Sequence, residues 1–233
     1  MLRRLALFAV AVVLTGCSSA APKAEPAFSP YDCLSVAQWK TLVQLSSDGS
    51  QFDAHVSGKG TVGIVYAHMS GADLCEWSSF AKEAAGEGYL TLTYTSSGSM
   101  DLDVTAAVGE LKRRGATRVV LVGGSMGGTA VLTAASLPEP LPVAAVVSLS
   151  APESYGGDNA LNAVKQLRMP VQFMVDQGDS DFVDGVTELS RVCGSAHKVL
   201  KVYPGSGHAS AVLADSKAKA DFDAFIRTYA PPS

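Results

Sequence analysis

One stretch constrains this chain more than any other: Arg118 to Ser136. It opens with Val119-Val120-Leu121-Val122, an apolar, β-branched run of the kind found in strands buried on both faces. It closes with Ala130, Val131, Leu132, Ala134 and Ala135, residues a helix accepts readily. Between them, Gly123-Gly124-Ser125-Met126-Gly127 fits G-x-S-x-G. Placed between strand and helix, that spacing makes a nucleophile elbow. The turn is so tight that Ser125 must take a strained backbone conformation with its hydroxyl outward. Gly123 and Gly127 are required because a Cβ at either would strike the neighbouring chain. The helix start aims unpaired N–H groups, Met126 first, at any oxyanion formed beside Ser125. A phosphate-binding loop is the competing reading, and its motifs fail. Ser125 stands where G-x-G-x-x-G needs its second glycine, and no Gly-Lys-Ser/Thr follows.

A length of 233 residues suggests one domain. Hydrophobic residues make up 47% and charged residues 17%, which supports a sizeable core and argues against global disorder. The net charge is −4 and no Lys/Arg cluster appears, so nucleic acid is excluded as an expected partner.

The first sixteen residues read as a leader. Arg3 and Arg4 give a positive start, and Leu5 to Leu14 an apolar core too short to span a membrane. It ends Leu14-Thr15-Gly16-Cys17, which resembles a bacterial lipobox. The resemblance implies a palmitate-type lipoprotein whose mature chain starts at Cys17, exported and lipid-anchored to the outer face of the cell membrane. Residues 17–30, rich in Ser, Ala and Pro, read as a flexible tether. Residues 31–233 then form the folded domain.

Within that domain, Leu34, Trp39, Leu42 and Leu45 suggest a short helix over 31–45. Asp48-Gly49 marks a turn, and alternating Phe52, Ala54 and Val56 an edge strand. From Thr61 strands and helices alternate. Strands are expected over 62–66, 89–94, 119–122, 144–149, 171–175 and 199–203, with helices over 77–85, 102–114, 161–167, 185–192 and 215–229. The fold class is α/β, with a mainly parallel central sheet flanked by helices on both faces. Ligands of such sheets gather beyond the carboxyl ends of the strands, where the elbow lies.

A serine hydroxyl needs a base, usually a histidine held by a carboxylate. Of four histidines, only His68 and His208 follow a strand's carboxyl end. His208, in Gly205-Ser206-Gly207-His208-Ala209, comes last, as the chain order Ser, Asp, His requires. The acid should follow 171–175. Asp176, Asp179, Asp181 and Asp184 compete there, with Asp179 and Asp181 the main contenders. The cluster does not match a calcium-binding loop.

These pieces resemble the α/β-hydrolase superfamily, in its small capless dienelactone-hydrolase-like branch, over residues 47–229. The resemblance rests on Tyr66-Ala67-His68-Met69-Ser70-Gly71, the Gly123 to Gly128 elbow, Gly178-Asp179-Ser180-Asp181-Phe182-Val183 and Gly205-Ser206-Gly207-His208. It implies a triad of Ser125, Asp181 and His208, the acid standing three residues after the loop glycine. It also implies an oxyanion hole from the Met126 and Ser70 N–H groups, with Met69 as the alternative donor. No metal and no organic cofactor is implied. The chain departs from the pattern at Met69 and Ala209, where relatives have glycine, and at Ser125, where dienelactone hydrolases proper use cysteine. The expected activity is hydrolysis of an ester or related acyl bond of a small molecule. The alternative is a degenerate hydrolase that binds a small molecule or cell-envelope component.

Cys33, Cys75 and Cys193 remain beside Cys17. In an oxidising compartment one disulfide is expected, with Cys33–Cys75 first and Cys75–Cys193 second. Only about twenty residues separate Leu149 from Val171, and they are too few for a large lid domain. An open pocket follows, with Tyr155 near its mouth.

Overall fold

The computed structural model describes residues 29–232. The leader, the lipidation site at Cys17 and the tether up to residue 28 lie outside the described residues. Among those described, no helix is long and apolar enough to cross a membrane.

The chain opens with a one-turn helix, α1 (Val36–Trp39), capped by Ser35, whose hydroxyl accepts the Gln38 N–H. The longer helix expected over 31–45 does not form, because the next segment is a strand, β1 (Val43–Ser47). Asp48 and Gly49 are the reason. Both have positive φ (45° and 77°), the backbone of a two-residue hairpin turn, and they fold β1 onto β2 (Ser50–Gly58) with Ser47 opposite Ser50. Leu45 is therefore buried as a strand residue paired with Phe52. On this side of the sheet the edge strand is β1, and β2 is an interior one.

The remaining order is β3 (Val62–Ala67), α2 (Ser78–Gly86), β4 (Leu90–Tyr94), α3 (Met100–Arg113), β5 (Arg118–Gly124), α4 (Met126–Ala134), β6 (Val143–Leu149), α5 (Ala160–Ala163), β7 (Val171–Asp176), α6 (Val183–Val192), β8 (Lys198–Tyr203) and α7 (Ser216–Tyr229). The eight strands form one sheet in the order β1-β2-β4-β3-β5-β6-β7-β8, antiparallel at β1 and β2 and parallel from β4 to β8. Strand pleating sends alternate residues to opposite faces. On β5, Val119 and Leu121 join the core under α3, α4 and α6, while Val120 and Val122 join the core under α2 and α7. The two cores make the α/β sandwich expected from the sequence. Only α5 and a 3-10 turn at Val164–Gln166 stand between β6 and β7, so no large cap is present.

The order reverses at β3: the chain leaves it to form β4 on one side and, one unit later, β5 on the other. Such a switch opens a crevice at the strand ends. The last residue of β3, Ala67, is paired with Gly123 of the elbow strand, so the β3 loop and the elbow share that crevice.

Cys33 and Cys75 form a disulfide, with Cα atoms 5.5 Å apart and 42 residues of separation. Among the described residues Cys193 is unpaired and buried. The bridge fixes the N-terminal segment to the approach of α2. Cross-links over loops of this size stabilise by about 2–4 kcal/mol, largely by restricting the unfolded chain. Replacing both cysteines by serine should lower the unfolding free energy by that amount in urea titration. A loss below about 0.5 kcal/mol would show that the bridge restrains little.

Candidate active site

Ser125 sits between β5 and α4 at φ 50° and ψ −117°, a conformation L-residues avoid. It is held there by its own N–H, which donates to the Leu149 carbonyl (2.8 Å), and by close backbone packing. A Cβ on Gly123 would lie 2.1 Å from the Gly127 carbonyl oxygen, and one on Gly127 would lie 2.2 Å from that of Ala67. Glycine at both positions is what lets the loop after β3 pass against the first turn of α4.

His208 arrives on the loop after β8. That loop is tied to the end of β7 by three contacts: the Gln177 N–H donates to the Tyr203 carbonyl (2.7 Å), the Gly178 N–H to the Gly205 carbonyl (2.8 Å), and the Gly207 N–H to Asp176 Oδ2 (2.6 Å). Burial pushes the Asp176 carboxyl above its ordinary range, and the Gly207 hydrogen bond opposes that rise. Ala209, the next residue after His208, presses on the elbow: a Cβ on Gly124 would fall 2.7 Å from the Ala209 Cβ. The chain neighbours of Ser125 and His208 are thus in contact.

His208 Nδ1 lies 2.9 Å from Asp179 Oδ2. A carboxylate only accepts, so Nδ1 carries a proton, which in the neutral ring leaves the lone pair on Nε2. The Phe182 ring packs 4.3 Å from the imidazole, centroid to centroid. The geometry brings Asp179, and not the expected Asp181, to the histidine: Asp181 is exposed and Asp179 holds the ring. The reason is a tight turn. The Asp179 carbonyl accepts both the Phe182 and Val183 N–H groups (3.0 Å each), which starts α6 early and leaves Asp181 on its outer side. Asp184, in the first turn of α6, is likewise exposed.

His68, the other histidine at a strand end, is buried with both nitrogens engaged. Nδ1 lies 2.7 Å from the Met69 carbonyl and Nε2 accepts the Ser96 N–H at 2.8 Å. With Nε2 accepting, the ring is neutral and Nδ1–H donates, so His68 links two loops and has no lone pair to offer a substrate.

Of the expected oxyanion donors, the Met126 N–H begins α4 and has no partner within the helix. The Met69 N–H donates to Glu76 Oε2 at 2.6 Å and is spent. The Ser70 N–H remains. A trans peptide points its C=O and N–H in opposite directions, so anchoring the Met69 carbonyl on His68 also sets the direction of the Ser70 N–H. The Ser70 hydroxyl accepts the Tyr155 O–H (2.8 Å) from the loop after β6. Sequence reasoning placed Tyr155 at the mouth of the site but gave no sign of this bridge. It missed Glu76 altogether, and it weighed Asp176 only as an acid and not as the acceptor of the Gly207 N–H, because a carboxylate that accepts backbone N–H groups has no motif. Among the described residues, no three His, Cys, Asp or Glu side chains converge where a metal ion could sit.

Set beside solved structures, the fold resembles the Pyrococcus furiosus esterase Pf2001, at 15% identity, 81% of this chain against 92% of that one, and a TM-score of 0.67. It also resembles a dienelactone hydrolase from Anabaena variabilis (19%, 81% against 96%, 0.66) and an esterase domain from a Rhodothermus marinus protein (18%, 81% against 98%, 0.63). These likenesses define an α/β-hydrolase fold. The dienelactone hydrolase family model matches residues 83–230, and the chain belongs to that family. No curated protein matches it in sequence. Family membership supports hydrolase activity on ester bonds.

Two outcomes follow from the geometry. Asp179→Asn should lower kcat on a p-nitrophenyl ester by about 10²–10⁴-fold, as loss of the histidine's carboxylate does in such triads, while Asp181→Asn stays within about threefold. The reverse ranking would return the acid to Asp181. The second outcome concerns Asp158, which anchors the Tyr155 loop. The Tyr155 N–H donates to the Asp158 carbonyl at 3.1 Å, and the Asp158 carboxyl is pushed up to about 7 by burial and then by Asp101 and Asp103. A carboxyl raised in the folded state keeps its proton while the unfolded chain loses its own. Its contribution to stability is therefore whole below the ordinary carboxylate range and falls as the pH climbs to about 7. Asp158→Asn should remove that fall: relative to the wild type, its urea stability rises between pH 5 and pH 8. Glu139, raised to about 7 by burial, titrates in the same window in both proteins and cancels in the comparison.

Proposed function

We propose that this chain is a serine hydrolase that cleaves an ester or related acyl bond of a small molecule through an acyl-enzyme on Ser125. The observation that carries this reading is the Asp179–His208 pair on a loop packed against the strained Ser125 elbow. In the first step Ser125 Oγ attacks the acyl carbonyl and His208 Nε2 takes its proton. Asp179 orients the imidazole and stabilises its charged form. The Met126 and Ser70 N–H groups face the oxyanion. His208 then returns the proton to the leaving alcohol, and the same nitrogen activates the water that releases the acid. None of these steps calls on a metal or organic cofactor.

The rival reading, a binder without turnover, draws on Met69 in place of the usual glycine and on the choice between two acids. Met69 is not among the residues of positive φ, so its φ does not call for glycine, and Asp179 stands at the imidazole. Lipid attachment at Cys17 and export to the outer face of the cell membrane complete the proposal. Cys17→Ser in the producing cell should release the protein from the membrane fraction.

The test of the chemistry is a fluorophosphonate probe on the full chain purified in detergent. Labelling should occur in the wild type and vanish in Ser125→Ala. Equal labelling of both, or of neither, would count against the proposal. The substrate range follows from the missing cap. Each further CH₂ of an acyl chain gains about 0.8 kcal/mol only where a groove buries it, and Ser150 to Asn162 is a polar run containing Glu153, Ser154, Asp158 and Asn159. On p-nitrophenyl esters kcat/KM should peak at about C2–C6. A profile still rising at C12, below micelle formation, would sink this expectation.

A further inference from the structure

Glu76 lies just before α2, outside the triad, and its carboxylate is hydrogen-bonded to two of the loops that build the site and stands beside the elbow. Oε2 accepts the Met69 N–H at 2.6 Å, in the loop after β3. Oε1 accepts the Ser210 N–H at 3.3 Å, two residues beyond His208. Oε1 also lies 3.4 Å from where a Cβ on Gly124 would stand, beside the nucleophile. We infer that Glu76 is a positioning residue for the hydrolytic reaction, a carboxylate tether that holds the oxyanion loop and the histidine loop in register across the elbow. The inference rests on the reading of Ser125 and His208 given above.

The tether's own mounting is firm. The Glu76 N–H donates to the Asp73 carbonyl (3.1 Å), and the Cys75 N–H to Asp73 Oδ1 (2.7 Å). Cys75 is bridged to Cys33 on one side of Glu76. On the other side Trp77 is fully buried, its indole N–H donating to the Ala67 carbonyl (3.0 Å). The backbone that carries Glu76 is thereby fixed to the end of β3, and its side chain alone spans the gap between the two loops.

Both arms act on backbone that would otherwise relax. On the oxyanion side, Glu76 captures the Met69 N–H and fixes the peptide before Met69, while His68 fixes the peptide after it. With both peptides held, the Ser70 N–H is the donor left to face the substrate. On the histidine side, Ala209 stands at φ 53°. A non-glycine residue there is strained and persists only where its surroundings over-determine it. The Ser210 N–H on Glu76 and the Ala209 methyl against Gly124 are such surroundings. Released, the loop would relieve that strain by moving His208. The chemistry demands a carboxylate, because both partners are donors. Glutamine has one accepting oxygen and an amide that repels an N–H.

The experiment compares wild type, Glu76→Gln and Glu76→Asp as full chains in detergent. Three readouts are used: steady-state kinetics on p-nitrophenyl acetate, the fluorophosphonate labelling rate, and the amide proton shifts of Met69 and Ser210. In Glu76→Gln the fold should remain, kcat and the labelling rate should fall about 10–100-fold, and KM should stay within about threefold, the mark of a contact that matters in the transition state. The Met69 amide proton, losing a charge-assisted bond, should move upfield. Glu76→Asp keeps the charge but shortens the reach. It should also lower kcat, which separates tethering from a general effect of charge and serves if the glutamine variant does not fold. A labelled wild type with kcat retained in both variants overturns the role of Glu76. A rise in KM with kcat unchanged overturns it as well. An unlabelled wild type overturns the serine-hydrolase reading instead, and unchanged Met69 and Ser210 shifts overturn the tether in either case.

Discussion

The contact between the elbow and the end of β3 is the constraint on which the rest depends. Two carbonyl oxygens occupy the space a Cβ would need: that of Gly127 lies 2.1 Å from a Cβ built on Gly123, and that of Ala67 lies 2.2 Å from one built on Gly127. No side chain fits between them. That contact joins the sheet's switch point to the first turn of α4, and it fixes where Ser125 can point. It also sets the place of the β3 loop, since Ala67 pairs with Gly123 in the sheet and His68 follows at once. Substituting either glycine would force apart two strands and a helix, not merely strain one residue.

Around that fixed point the loops are ordered by carboxylates that accept backbone N–H groups. Asp176 holds Gly207, Glu76 holds Met69 and Ser210, and fully buried Asp103 takes the Ser97 N–H together with the hydroxyls of Ser47, Ser96 and Ser97. A charged acceptor in a partly buried place binds an N–H about twice as strongly as a neutral one. Loops without regular secondary structure need such partners, because their buried N–H groups have none of their own. His68 joins the arrangement by linking Met69 to Ser96. The site is therefore a set of irregular segments, each tied at one or two backbone atoms to a carboxylate or imidazole whose own element is rigid.

Much of the fold was legible because its signals are local. The runs at 62–66, 119–122, 144–149 and 171–175 are buried on both faces, so each reads as an unbroken apolar stretch. The elbow was legible because glycine at fixed spacing leaves a mark in the sequence. The segment 31–45 misled because Leu42 and Leu45 fit a helical period as well as a strand, and only the backbone of Asp48 and Gly49 decides. The choice between Asp179 and Asp181 also hung on one turn. Both carboxylates sit in the same short loop, and the two hydrogen bonds to the Asp179 carbonyl that select between them have no sequence signature. Glu76 was invisible for the same reason: nothing near Cys75 and Trp77 says that a side chain will reach Ser210, far along the chain.

The strained residues complete the argument. Apart from Asp48 in the hairpin, the described non-glycine residues of positive φ are Ser125, Ser150 and Ala209. They follow the ends of β5, β6 and β8, beyond the carboxyl ends of parallel strands. Each is held by a contact outside its own loop: the Ser125 N–H on Leu149, the Ser150 N–H on the Met174 carbonyl (2.9 Å), and Ala209 wedged on Gly124 with the Ser210 N–H on Glu76. Strain of this kind costs stability, and the rest of the fold must hold it. Here the rest is a sheet buried on both faces and a disulfide beside the tether. The conformations that local propensity disfavours are gathered beside Ser125 and His208, so the rigidity of the scaffold and the geometry of the candidate site are one property of the same contacts.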